Sequence, residues 1–235
     1  MIEERRDLAA LLVDVRGCRR CEIHLPLGPR PVLQADPRAR LLIASQAPGR
    51  RVHDSGIPFQ DASGARLRDW MGVDAAVFYD PSRCAILPMG FCYPGRGTSG
   101  DRAPRPECAP SWRAALVARL PRVALTLVVG RYAIAHHLAG RARPTLTETV
   151  ADWRAYGPSI IPLPHPSPRN NPWLRANPWF EREVVPALRQ RLAAILGGRD
   201  CTGDESPGRA GPGRANSPTC PDSTSAPAPP PTRPR

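Results

Sequence analysis

The chain has 235 residues and a formal net charge of +12 at pH 7, and apart from five histidines every basic residue is arginine. Apolar residues make up 41 %, enough for the hydrophobic core of one domain, yet no run of about 18 of them exists to cross a membrane. The N-terminal stretch places acids before its arginines and lacks a small-residue cleavage site, so the expected location is cytoplasmic.

Residues 198–235 hold five arginines and four acids, which leaves +11 on the rest. Arginine grips phosphate oxygens through a planar, bidentate fork, so this excess points to a polyanionic partner. A GC-rich genome would enrich arginine codons as well.

Helical spacing begins at residues 8–15, followed by "CRRC" at 18–21. Residues 39–45 form a compact apolar strand ending in "QAPG". A helix is predicted over 63–73 with a serine N-cap, then a strand over 84–91 and a helix over 109–120. The strand 123–130 runs into a helix over 131–140. A fourth strand, 159–166, precedes a long helix over 177–196 that bends or restarts at Pro186. From residue 197 onward there is no Leu, Ile, Val or aromatic residue, so a domain over 1–196 and a disordered tail over 197–235 are expected, with Cys201 and Cys220 as ordinary exposed thiols. Short apolar strands between amphipathic helices specify an α/β fold: three layers, αβα, around a central, mainly parallel four-stranded sheet. Ligands of such sheets bind past the carboxyl ends of the strands, where "QAPGRRVHDSGIPF", "PMGFCYPG" and "HPSPRN" all lie.

The chain contains seven cysteines. Cys18 and Cys21 form a C-x2-C hook, while Cys92 and Cys108 flank a loop rich in Gly, Pro and Arg that would not stay ordered by burial alone. Together they predict a four-thiolate metal centre, either zinc or an iron–sulfur cluster. Cys84, inside the second strand, reads as core.

Taken in order, these motifs resemble the uracil-DNA glycosylase superfamily, most closely its iron–sulfur class. The similarity runs over roughly residues 5–196 and rests on "CRRC", "SQAPG" (45–49), "SGIPF" (55–59), Cys92 with Cys108, and "HPSPRN" (165–170). The last is also similar to the second motif of the single-strand-selective class. The resemblance implies a monomeric DNA-repair hydrolase that flips uracil or another deaminated base out of DNA and cleaves its N-glycosidic bond. It implies a 4Fe–4S cluster on Cys18, Cys21, Cys92 and Cys108, with zinc as the alternative. His165 would stabilise the anionic leaving base. Gln46 would stand in the catalytic strand-end motif. Ala47, Gly49, Phe59 and Pro88 would line the base pocket, with Phe59 stacking on the base. Arg50, Ser167, Pro168, Arg169 and Asn170 would contact the DNA backbone, and Trp173 or Leu174 would wedge into the vacated stack. Arg51, His53, Arg96, Arg102 and Arg105 would face phosphates.

Three departures bear on activity, one of them Ala47, which stands where some family members have a water-activating Asp and which the iron–sulfur class shares. Gln46 stands where the iron–sulfur class has Glu, and Pro88 stands where an Asn reads the base edge. His53 and Asp54 are the nearby substitutes for the lost acid. A binding protein of the same fold, holding uracil-containing or single-stranded DNA without efficient turnover, is the alternative. A metal protein whose basic surface serves RNA or a protein partner is a further one.

Overall fold

The computed structural model describes residues 7–98 and 100–197. The predicted tail, with Cys201 and Cys220, lies outside them except for Gly197. Four strands, β1 (Leu41–Ala44), β2 (Cys84–Ile86), β5 (Leu125–Val129) and β6 (Ile160–Leu163), form one sheet in the order β2-β1-β5-β6. Every pairing is parallel, with Leu41 opposite both Cys84 and Leu125, and Val128 opposite Pro162. The expected α/β fold with helices on both faces of a parallel sheet is therefore present. β3 (Arg96–Gly97) and β4 (Gly100–Asp101) form a separate antiparallel hairpin between the second pair of cysteines.

Alternation along the strands divides the core. Leu41 and Ile43 of β1 point to one face with Leu127, Val129, Ile161 and Leu163, where α3 (Ala62–Met71) and α9 (Val185–Leu196) cover them with Leu67, Trp70, Met71, Leu188 and Leu192. Leu42 and Ala44 point to the other face. There α1 (Leu8–Arg16), α5 (Cys108–Val117) and α6 (Arg131–His137) pack. Each fully buried leucine or phenylalanine contributes about 1.5–3 kcal/mol, so the sheet is held by both layers. The remaining helices are short: α2 (Arg50–Ser55), α4 (Ala75–Phe78), α7 (Leu146–Ala151) and α8 (Asn171–Ala176).

Two local expectations are corrected and a third is narrowed. The cap of α3 is Asp61, whose side chain accepts from the Gly64 N–H; Ser63 lies inside the helix. The second strand stops at Ile86 because Pro88 has no N–H for the ladder, although Leu87, Met89 and Gly90 still donate to Ile43, Ser45 and Gln46. The closing helix restarts at Pro186, as one of the two expected alternatives has it. A π turn at Phe180–Val184 precedes it, and α9 starts at Val185 with the proline in its first turn, where a missing N–H does least harm. Among the described residues no helix is long and apolar enough to cross a membrane.

Candidate functional site

The carboxyl ends of β1, β5 and β6, with the segment after β2, open into one cleft of about 780 Å³. Gln46, Ala47, Pro48 and Gly49 follow β1, Pro88 follows β2, Gly130 and Arg131 follow β5, and His165 follows β6. Phe59 closes one wall, and Gly100 and Asp101 of the hairpin stand at the rim beside Ser167, Pro168, Arg169 and Asn170.

His165 is held from several sides. Its Nδ1 accepts from the Ser167 N–H at 3.2 Å, and the Asn170 amide donates to its carbonyl at 2.7 Å. Arg66 of α3 donates to the carbonyls of Pro166 and Ser167. Gly130, at φ +81°, brings the end of β5 under the ring: a Cβ there would sit 3.4 Å from two of its carbons. Burial lowers the His165 pKa, opposed by the Asp61 charge. The ring is therefore neutral at pH 7, with Nδ1 engaged as an acceptor, which leaves Nε2–H as the donor.

Phe59 is strained and fixed. It has φ +56°, a left-handed conformation rare for an aromatic residue. Its ring packs edge-on against Phe78 at 6.0 Å, and its carbonyl accepts from the Tyr79 hydroxyl at 3.3 Å. Phe59 thus belongs to the core and to the cleft wall at once.

Sequence reasoning missed the acids of this cleft. Asp54 is exposed, pairs with Arg50 at 2.9 Å, and is absent from the lining; His53 is buried against the Tyr93 ring instead of facing outward. Asp61 and Asp101 line the cleft in their place. A Cβ on Gly49 would come 3.4 Å from Asp101 Oδ2 and 4.0 Å from Asp61 Oδ2, so both carboxylates approach the end of β1. Crowding by surrounding atoms raises the Asp101 pKa, opposed by the charges of Arg169 and Arg96. The only forewarning was "PFQDASG", an aspartate two residues beyond the stacking phenylalanine with Gly three residues later, itself a cap signature. Gln46 donates a long hydrogen bond, 3.5 Å, to the Arg102 carbonyl next to Asp101.

A family model, the uracil DNA glycosylase superfamily, matches residues 33–189. The chain belongs to that superfamily. The match covers the whole sheet and all of the cleft lining but Val32, and begins after Cys18 and Cys21. Uracil DNA glycosylases are DNA glycosylase-type hydrolases, and a cleft at the strand ends rimmed by arginine suits such a substrate.

Of the predicted DNA contacts, His53, Arg96, Arg102, Arg105, Trp173 and Leu174 do not line the cleft. Trp173 is half-buried on α8, donates from Nε1 to Thr147 at 2.8 Å, and stacks edge-on with Trp179 and Phe180. It and Leu174 pack against the core, so neither lines the cleft. Arg105 is tied to Glu107 at 2.6 Å. Arg169 is exposed, with its guanidinium carbon 3.3 Å from where a Gly100 Cβ would be.

Among the described residues no three His, Cys, Asp or Glu side chains are gathered as a single metal ion requires. Cys18, Cys21, Cys92 and Cys108 are nonetheless neighbours that feel one another's charge. Arg20, within the hook, stacks over Trp112 of α5 and reaches Ser111. Burial, with the neighbouring thiols, pushes Cys92 up to about 12 and Cys108 up to about 11. The Phe91 N–H donates to Cys108 Sγ at 3.3 Å, and the Arg30 backbone donates to Cys92. Clustered thiols with N–H donors to sulfur fit a cationic centre, which would hold them as thiolates. Cys84 is fully buried in the sheet, its thiol pushed up to about 12 by burial.

Proposed function

We propose that this protein is a monofunctional DNA glycosylase that removes uracil, or another deaminated base, from DNA. The observation that carries the reading is His165, neutral, fixed by the Ser167 N–H, and part of the same cleft as Phe59. Breaking the glycosidic bond sends its electron pair to the base and leaves positive charge on the sugar. A fixed Nε2–H donor stabilises that departing anion without having to give up its proton. Phe59 offers a rigid face for stacking. Asp61 is the carboxylate suited to orient water toward the sugar and to take its proton, since Gln46 cannot act as a base. Arg50, Ser167, Pro168, Arg169 and Asn170 would hold the flanking phosphates, as would Arg131.

Cys18, Cys21, Cys92 and Cys108 would hold a 4Fe–4S cluster. The group would supply structural cross-linking: the hook after α1, the hairpin loop and the start of α5 would be pinned together. Iron and sulfide content of the purified protein measures it.

A second reading, a protein that binds uracil-containing DNA without turnover, is favoured by Pro88 and Gln46 alone. Single-turnover cleavage of oligonucleotides bearing uracil, hypoxanthine or xanthine, with wild type beside His165→Ala, separates the two. Alkali-labile sites that disappear in the variant support the glycosylase. Tight binding with no scission on any substrate supports the binding protein.

A further inference from the structure

Among the described residues Arg113 is the only buried side chain with a permanent charge, at 2 % exposure. From α5 its Nη1 donates to the Leu87 carbonyl at 2.7 Å and to the Pro88 carbonyl at 3.3 Å, and its Nη2 lies 2.6 Å from His137 Nε2. Among the described residues its Nε has no partner. No carboxylate is among these contacts. Burial pulls the guanidinium only to about 10, so it stays a cation at neutral pH. His137 is pulled down to about 3 by burial and by the Arg113 charge, and His136 is lowered in the same way, so neither adds charge nor removes it.

A buried charge without a counter-ion is unfavourable, and apolar residues of similar volume would fill the space without that penalty. What Arg113 rests on gives it a purpose. Pro88 lines the cleft, so the guanidinium lies one residue behind the wall that faces a bound base. Out of reach of water and salt, its field is weakly screened.

We propose that Arg113 is a positioning residue for the departing base, clamping the Leu87–Pro88 wall and setting an uncompensated positive charge behind it to stabilise the anion formed on cleavage. This rests on the glycosylase reading. It accounts for a wall built with proline: stabilisation that a side-chain donor would give directly is supplied through the wall. The bound base is neutral before cleavage and anionic after, so such a charge favours the transition state over the ground state.

The test is leaving-group dependence in the full chain. Wild type and Arg113→Met are compared in single-turnover cleavage of otherwise identical DNA bearing uracil or 5-fluorouracil. Fluorine acidifies the base and makes it a better leaving group, less in need of help. The variant is expected to slow uracil release by about 10- to 100-fold and 5-fluorouracil release by clearly less. Equal losses on the two bases would mean that Arg113 only shapes the wall, and would overturn the proposal. Arg113→Gln keeps a donor toward the same carbonyls without the charge, and replaces the methionine variant if that one does not fold. If wild type cleaves neither base, the uracil-directed glycosylase reading falls and this proposal falls with it. Cleavage by wild type with a leaving-group-independent loss removes this proposal alone.

Discussion

Replacing Gly64 by alanine should damage the cleft from below. A Cβ on Gly64 would lie 2.7 Å from the Phe59 carbonyl carbon and Cβ, and inside the contact shell of the Phe59 carbonyl oxygen. Helical backbone on one side and a strained residue on the other leave Phe59 to give way, by more than an ångström. Overpacking of this kind destabilises by about 1–3 kcal/mol, while alanine in a helix returns up to about 1 kcal/mol over glycine. The net loss of about 1–2 kcal/mol corresponds to a melting temperature lower by roughly 2–8 °C for a domain of this size. Function should suffer more. Aromatic stacking on a base is worth about 1–3 kcal/mol, so a displaced Phe59 lowers kcat/KM for the flipped base about 10- to 100-fold. Thermal unfolding and single-turnover kinetics on the same preparation provide both numbers. An alanine variant with unchanged melting temperature and unchanged kcat/KM would refute the reasoning. It would show that Phe59 is not held by Gly64, or that its position is irrelevant to the reaction.

Asp61→Asn keeps the helix cap, because Asn also accepts from the Gly64 N–H, but removes the carboxylate; single-turnover cleavage should slow by about 10²- to 10⁴-fold with little change in melting temperature, and an undiminished rate would leave Asp61 as a cap alone. His137 has its folded pKa depressed to about 3, so the unfolded chain binds the extra proton below its own value of about 6.5; stability should fall as pH drops from about 6.5 toward 3, and chemical denaturation of His137→Gln should show a flatter profile. Trp173→Phe loses the bond to Thr147 and should destabilise by about 0.5–1.5 kcal/mol while leaving DNA affinity unchanged in a fluorescence titration; a large loss of affinity would restore Trp173 as a wedge. Cys92→Ala should lower thermal stability and DNA affinity together, since the hairpin would lose its anchor, and a variant that lost only turnover would contradict a purely structural centre.

The sheet was legible because its strands are runs of fully apolar residues, as a sheet covered on both faces demands: "LLIA" and "LTLVV" leave almost no surface in contact with water. His165 and its loop were legible because proline and serine at a strand end restrict the backbone in few ways. Other parts were not. α2 reads "RRVHDS", and only Val52 and His53 are buried, too few for an apolar period, so neither the helix nor the inward turn of His53 is legible in the sequence. Each strand of the hairpin is two residues long, below any pattern length, and with it Asp101 stayed hidden. An aromatic after "HPSPRN" satisfies a wedge and a core lid equally well in one dimension; Thr147 and Phe180, which hold Trp173 against the core, are 26 and 7 positions away.

The cleft also has a consequence for biosynthesis. Its lining is drawn from positions 32 to 170, and β6, which ends at His165's doorstep, pairs only with β5 at the edge of the sheet. The covering α9 follows later still. A nascent chain halted before residue 160 lacks β6, and with it His165 and the Ser167–Asn170 loop that line the cleft. The cleft is therefore complete only once β6 and the loop that follows it have joined the sheet.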